Sequence, residues 1–133
     1  MSDAAVDSAE SATEAEVDRY EKAYRAVRTV LDESIEAYLV LEALEDDSQF
    51  LKQLRLKRAE LETERSDLQR ANIAFYAGST TMQPPSPSLV AAIVALSKQA
   101  VELTVAKNNG AAFLTLATSA LNKFASIQDI KNS

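Results

Sequence analysis

Apolar side chains, with one serine among them, recur every three or four residues early in the chain. The series runs through Val17, Tyr20, Tyr24, Val27, Leu31, Ser34, Tyr38 and Leu41. This spacing is a heptad seam, which puts the side chains on one face of an α-helix. It predicts a helix over 12–44. A second apolar row widens this face near its end, so we expect more than one neighbour there: Val30, Ile35, Leu39 and Leu44.

The seam stops after Leu41, because polar residues occupy its next positions. Asp46 and Gln49 have the form of a capping box, which predicts a tight turn followed by a second helix over 47–77. One apolar row recurs every seven residues along that helix: Leu54, Leu61, Leu68 and Phe75. The complementary row is polar, so this helix has a narrow apolar edge and a wide solvated surface.

Glycine, proline and serine mark the middle of the chain. Gly78 predicts the end of helix two, because glycine readily adopts the left-handed backbone that closes a helix. A linker over 78–86 follows. Ser86 and Pro87 then signal a new helix, since the serine hydroxyl caps a free N–H and proline has no N–H to satisfy at the first helical position.

Two shorter helices are predicted over 87–107 and 112–128, with an Asn-Asn-Gly turn between them. They form an apolar αα-hairpin. Residues 86–128 hold four charged side chains, whereas residues 19–77 hold 22. The sequence therefore predicts an all-α fold like a four-helix bundle, in which a long charged hairpin packs with a shorter apolar one.

The predicted helices differ in length. Helices of about 30 residues span about 45 Å and those of about 20 span about 30 Å. One end of the long hairpin should therefore project beyond the short one, where a second copy or another helical protein would cover it. We expect one all-helical domain over 12–133, with the long hairpin over 12–77, preceded by an acidic flexible tail over 1–11.

Composition excludes most familiar enzyme chemistry. The 133 residues include no Cys, no His and two Gly. Disulfides, thiolate or imidazole metal sites, cysteine nucleophiles, histidine-based triads and Gly-rich phosphate loops are thus excluded. Groups of carboxylates such as Glu42, Glu45 and Asp46 fit a solvated surface better than a cation site. We expect no catalytic residue, no cofactor and no metal.

The net charge of −6 is local, because residues 1–18 carry six acidic side chains and no Lys or Arg. A tail of this kind solubilises the chain or docks on a basic partner. The remaining residues balance, and no basic patch forms, so nucleic-acid binding is not expected. Residues 1–15 have neither a basic nor an apolar stretch typical of a signal peptide, which predicts a cytoplasmic protein and leaves signal-independent export open.

The leading functional hypothesis is a non-enzymatic interaction or self-assembly module that uses coiled-coil-like seams, as a homo-oligomer, with a dimer favoured, or with another helical protein. An acidic immunity or chaperone protein that binds a basic partner is the first alternative. An exported protein that inserts its apolar hairpin into a membrane is a less favoured one, because charges interrupt helix three and helix four is short. The candidate interface residues, whose tyrosines also fit a core, are Tyr20, Tyr24, Val27, Leu31, Tyr38, Leu54, Leu61, Leu68 and Phe75.

Overall fold

Four helices make up the protein, in a computed structural model that describes residues 13–78, 81–83, 85–106 and 109–129. They are α1 (Glu14–Leu44), α2 (Ser48–Tyr76), α3 (Pro87–Glu102) and α4 (Gly110–Ala125). The predicted all-α fold, with a long hairpin packed against a short one, is confirmed. The tail predicted over 1–11 lies outside the described residues.

Side-chain caps begin both long helices. Thr13 and Glu16 form a reciprocal capping box at the start of α1, with distances of 3.1 Å and 2.9 Å. At α2 the cap is Asp47 rather than the predicted Asp46. One Asp47 carboxylate oxygen accepts hydrogen bonds from the backbone N–H groups of Gln49 and Phe50, at 2.8 Å and 3.2 Å. These are the second and third residues of α2, which are the donors that a cap satisfies.

The predicted signals between α2 and α3 are confirmed. Gly78 has a φ of 80°, in the left-handed region, directly after the last turn of α2. The Ser86 hydroxyl accepts a hydrogen bond of 3.1 Å from the Leu89 N–H, and Pro87 is the first residue of α3. The linker also contains β1 (Thr81–Met82), which pairs antiparallel with β2 (Gln128–Asp129). This short pairing was not predicted.

Helix α3 ends five residues before the predicted end at 107, and α4 begins two residues before the predicted start at 112. Thr104 and Val105 are β-branched residues, which have low helix propensity. The Asn109 side-chain amide donates a hydrogen bond of 2.8 Å to the carbonyl oxygen of Thr104. Residues 103–106 are therefore not helical, although the last turn of helix three was predicted there.

Helix α1 is the centre of the fold and packs against each of the other three, while α3 and α4 also pack against one another. The first residue of α4 lies beside Tyr38, and Phe124 near its end lies beside Tyr20, so α4 is antiparallel to α1. Helices α3 and α4 have 16 residues each, against 31 in α1 and 29 in α2. The α1–α2 end of the long hairpin thus extends past the short one.

Candidate interaction surfaces

The nine candidate interface residues lie in or against the core of a single chain. Seven are buried: Tyr20, Val27, Leu31, Tyr38, Leu61, Leu68 and Phe75. Tyr24 and Leu54 are partly buried and pack against the same core. Their position differs from the predicted partner-facing surface because α3 and α4 cover most of the seam within the chain. Most of the exposed apolar surface in the described part of the chain therefore belongs to other residues.

An aromatic cluster joins three helices at the end of the bundle opposite the α1–α2 turn. The ring centroid of Tyr20 in α1 lies 4.3 Å from that of Phe75 in α2 and 5.6 Å from that of Phe124 in α4. The Tyr20 hydroxyl is buried and has no hydrogen-bond partner among the described residues. Burial raises the pKa of Tyr20 above its usual value, because the phenolate would lose its hydration.

Two polar side chains of α1 bind the backbone of α4. The Ser34 hydroxyl, fully buried, lies 2.8 Å from the carbonyl oxygen of Val30 and 3.4 Å from that of Phe113. The Tyr38 hydroxyl donates a hydrogen bond to the carbonyl oxygen of Gly110. Burial raises the pKa of Tyr38, so this hydroxyl stays protonated and remains a donor at neutral pH.

Ion pairs connect α1 with α2. Glu42 accepts hydrogen bonds from the guanidinium group of Arg58, and the Arg55 guanidinium lies 3.9 Å away. Further along the hairpin, an Arg65 nitrogen lies 3.0 Å from the Asp32 carboxylate. These pairs add polar contacts between the two long helices.

An apolar row of α1 changes from buried to exposed toward the α1–α2 turn. Ala23, Val30 and Ala37 are spaced by seven residues and are all 0% exposed. Leu44 is the next member of this row and is 57% exposed. Residues seven apart lie on nearly the same face of a helix. Leu44 therefore continues the core face of α1 past the point where α3 and α4 end.

Phe50 likewise continues the core face of α2 toward the α1–α2 turn. It lies 18 residues before Leu68, which is five full helical turns, so the two side chains share one face. Leu68 is buried, whereas Phe50 is 57% exposed. We call Leu44 and Phe50 together the hairpin-end face. The sequence analysis placed Leu44 on the widened apolar face of helix one, where more than one neighbour was expected, and it did not single out Phe50.

Several grooves run between pairs of helices, among them the following two. The first, of about 450 Å³, separates α2 from α4, and its lining includes Glu64, Asp67, Leu68 and Phe124. The second, of about 400 Å³, lies between α1 and α3 and is lined by apolar residues of α3 together with three cationic side chains. Both have the size of ordinary ligand or peptide sites.

Among the residues that the structure describes, no group of three or more acidic side chains is arranged to hold a metal ion. None of the described helices combines the length and the apolar character needed to cross a membrane. Comparisons with protein-family models, with curated proteins and with solved structures gave no match. The geometry of the exposed surfaces is therefore what bears on function.

Proposed function

We propose that this protein is a non-enzymatic helical interaction module that assembles with a second copy of itself through the hairpin-end face. The supporting observation is the exposure of Leu44 and Phe50, each 57%, on faces that are buried elsewhere along the same helices. Covering a large apolar side chain contributes about 1.5–3 kcal/mol before the entropy of association is subtracted. A contact centred on these two residues fits a reversible assembly.

A second copy suits this surface because a two-fold contact places the same residues opposite one another, and an apolar patch is complementary to itself. The nearby Glu42 carboxylate does not oppose contact. The Glu42 side chain is 10% exposed and already neutralised by Arg58 and Arg55. Covering Glu42 therefore does not require removing water from an unpaired carboxylate, which would oppose association.

The test is molar mass by light scattering after size exclusion, measured over a hundredfold range of protein concentration. We expect the wild-type protein to shift from monomer to dimer as its concentration rises. The variant Leu44→Asp/Phe50→Asp should remain a monomer across the range, because two carboxylates at the contact cannot be buried without partners. Far-ultraviolet circular dichroism checks that helical content is unchanged.

The matched control is Leu56→Asp/Ile73→Asp, which has the same change of charge at two apolar residues that are 59% and 67% exposed. At 100° per residue these side chains point about 120° and about 140° away from Phe50. The control should associate like the wild type. A wild-type protein that stays monomeric throughout, or a control that loses association equally, would contradict assembly through the hairpin-end face.

A second candidate function is binding of a basic protein partner, supported by the α2–α4 groove. Its floor includes Leu68 and Phe124, while Glu64 and Asp67 supply negative charge beside that floor. An amphipathic helix with Lys or Arg flanking its apolar side would match it. A labelled peptide of that kind should bind the wild type and bind Glu64→Lys at least about tenfold more weakly, a difference of about 1.4 kcal/mol. Equal affinity for both proteins would rule out the groove.

A further inference from the structure

The groove between α1 and α3 is apolar along its floor and positively charged at its rim. The floor consists of α3 residues: Pro87, Val90, Ala91, Val94 and Ala95. The rim holds Arg19 and Lys22 from α1 and Lys98 from α3, and no Asp or Glu is among the described residues that line it. A partner that matches this lining combines carboxylates with apolar side chains.

The floor of the groove is open to solvent along its length. Val90 is buried, whereas Pro87, Ala91 and Ala95 are exposed. Small side chains such as those of the two alanines let a second element approach closely, because the distance between packed helices depends on the side chains at their contact. An elongated partner that lies along the surface therefore fits this groove better than a small molecule enclosed by it.

The secondary structure of such a partner follows from the two helices that form the groove. Along their length, α1 and α3 satisfy their backbone N–H and C=O groups internally, so they offer no row of free groups to an extended segment. Addition of a strand requires a sheet edge. An amphipathic helix satisfies its own backbone and docks through one apolar face, which is a common mode of recognition in grooves between helices.

The positions of the cations set the spacing of the partner's carboxylates. Arg19 lies at the start of α3, because its Nε donates a hydrogen bond of 2.8 Å to the carbonyl oxygen of Pro85. Lys98 lies eleven residues after Pro87, or about 16 Å along the axis of α3. A partner helix beside α3 covers this distance in eleven residues, and residues eleven apart point within about 20° of each other. Two carboxylates with this spacing lie on the same face as the apolar row between them.

We infer that the α1–α3 groove binds an acidic amphipathic helix of another protein. One carboxylate lies beside Arg19 and Lys22, the apolar row covers the floor, and the second carboxylate, three turns further on, lies beside Lys98. Lys22 and Lys98 are exposed and form no ion pair with a described residue, so docking breaks no such pair. This site is separate from the hairpin-end face, because Leu44 is about 33 Å along α1 from Lys22.

A synthetic peptide tests the spacing. The probe is an Ala-rich helical peptide of about 18 residues with neutral ends, in which two glutamates eleven residues apart flank a row of Val and Leu. The control peptide has the same composition, but its glutamates are nine residues apart and lie on opposite faces. In about 0.1 M salt the full chain should bind the probe at least about tenfold more tightly than the control, measured by fluorescence anisotropy. Equal affinities, or no binding of the probe, would overturn the inference.

Charge reversal tests the role of the cationic rim. The variant Lys22→Glu/Lys98→Glu should bind the probe at least about tenfold more weakly than the wild type does. The matched control is Lys52→Glu/Lys57→Glu, which has the same change of net charge on exposed α2 lysines and should retain the affinity of the wild type. Equal losses in the two variants would show that binding follows net charge and would overturn the inference.

A reciprocal change keeps this test independent of any loss of folding. A peptide with lysines in place of the two glutamates should bind Lys22→Glu/Lys98→Glu more tightly than Lys52→Glu/Lys57→Glu, although the two variants have the same net charge. A misfolded variant would show no such preference, and far-ultraviolet circular dichroism checks helical content in both. If both folded variants bind the lysine peptide equally, the rim does not recognise the partner and the inference is wrong.

Amide signals of the wild-type protein locate the contact without a variant. The probe should shift the signals of Ala91 and Ala95, and should leave those of Leu68 and Leu121 in the α2–α4 groove unchanged. Vesicles of anionic phospholipid should leave all four signals unchanged. Shifts confined to the α2–α4 groove, or a response of Ala91 and Ala95 to the vesicles and not to the probe, would overturn the inference.

Discussion

The hydroxyl of Tyr38 donates a hydrogen bond of 3.0 Å to the carbonyl oxygen of Gly110, which connects α1 to the first residue of α4. The two residues are in close contact. A Cβ atom at position 110 would lie 3.2 Å from the Tyr38 hydroxyl oxygen and 3.4 Å from a methyl carbon of Leu41. Glycine at this position therefore lets α4 begin directly against α1, and the bond sets the register between the two helices.

Replacing Tyr38 with Phe should destabilise the protein. The ring stays in place, but the Gly110 carbonyl loses a buried donor. A hydrogen bond of this kind contributes about 0.5–1.5 kcal/mol. We expect the free energy of unfolding, measured by urea denaturation at neutral pH, to fall by about 1 kcal/mol with no change in the slope of unfolding. An unchanged midpoint would show that the bond does not contribute.

Replacing Tyr20 with Phe should raise the free energy of unfolding or leave it unchanged. The Tyr20 hydroxyl is buried without a hydrogen-bond partner among the described residues. Removing an unpaired polar group from a core relieves a desolvation penalty, while the ring contacts with Phe75 and Phe124 remain. We expect Tyr20→Phe to raise the free energy of unfolding by up to about 1 kcal/mol. A loss as large as that of Tyr38→Phe would mean that the hydroxyl has a partner.

Stability should fall above pH 10, the usual pKa of tyrosine, because burial raises the pKa values of Tyr20 and Tyr38 in the folded protein. Between pH 10 and the higher folded pKa, the unfolded chain has released protons that the folded chain retains. The unfolded state then binds fewer protons, so the free energy of unfolding decreases as pH rises. Below pH 10 this contribution is fully present.

Urea denaturation at a series of pH values from 8 to 11 measures the effect. The double variant Tyr20→Phe/Tyr38→Phe should lose stability less steeply above pH 10 than the wild type does. Identical slopes for wild type and double variant would contradict the assignment of the alkaline transition to the two buried tyrosines.

The sequence predicted the existence of all four helices because the signals involved are local. Heptad spacing identified α1, and Ser86 with Pro87 located the start of α3. Helix ends were less predictable. Asp46 and Asp47 are adjacent potential caps, and only the backbone direction at the turn decides which carboxylate reaches the free N–H groups. The pairing of β1 with β2 joins residues more than forty positions apart, which local patterns do not encode.

The sequence predicted which residues are apolar neighbours better than it predicted what covers them. Leu61, Leu68 and Phe75 were correctly identified as one apolar edge of α2, but a pattern on one helix does not specify whether its partner is α4 or another chain. The exposure of Leu44 follows from the difference in length between the two hairpins, which the sequence did predict. The α1–α3 groove was not predicted, because Arg19 and Lys98 are far apart in sequence.

The bidentate pair between Arg58 and Glu42 should stabilise the long hairpin more than a lone ion pair does. Two Arg58 nitrogens bind the two oxygens of Glu42, one of them at 3.1 Å, and a third nitrogen lies 3.1 Å from Glu62. Lysine has a single ammonium group and cannot reproduce this planar fork. We expect Arg58→Lys to lower the free energy of unfolding by about 1 kcal/mol.

The control for Arg58→Lys is Arg70→Lys, because among the described residues Arg70 forms an ion pair with Asp67 alone, on the exposed surface of the same helix. A solvent-exposed pair contributes about 0–1 kcal/mol and is screened by salt, so the control should change the urea midpoint little, and less still in high salt. The Arg58 effect should persist in high salt, since the Glu42 side chain is 10% exposed and the pair is largely shielded from ions. Equal losses in the two variants, or loss of the Arg58 effect in salt, would show that the pair at the hairpin end behaves as an ordinary surface contact.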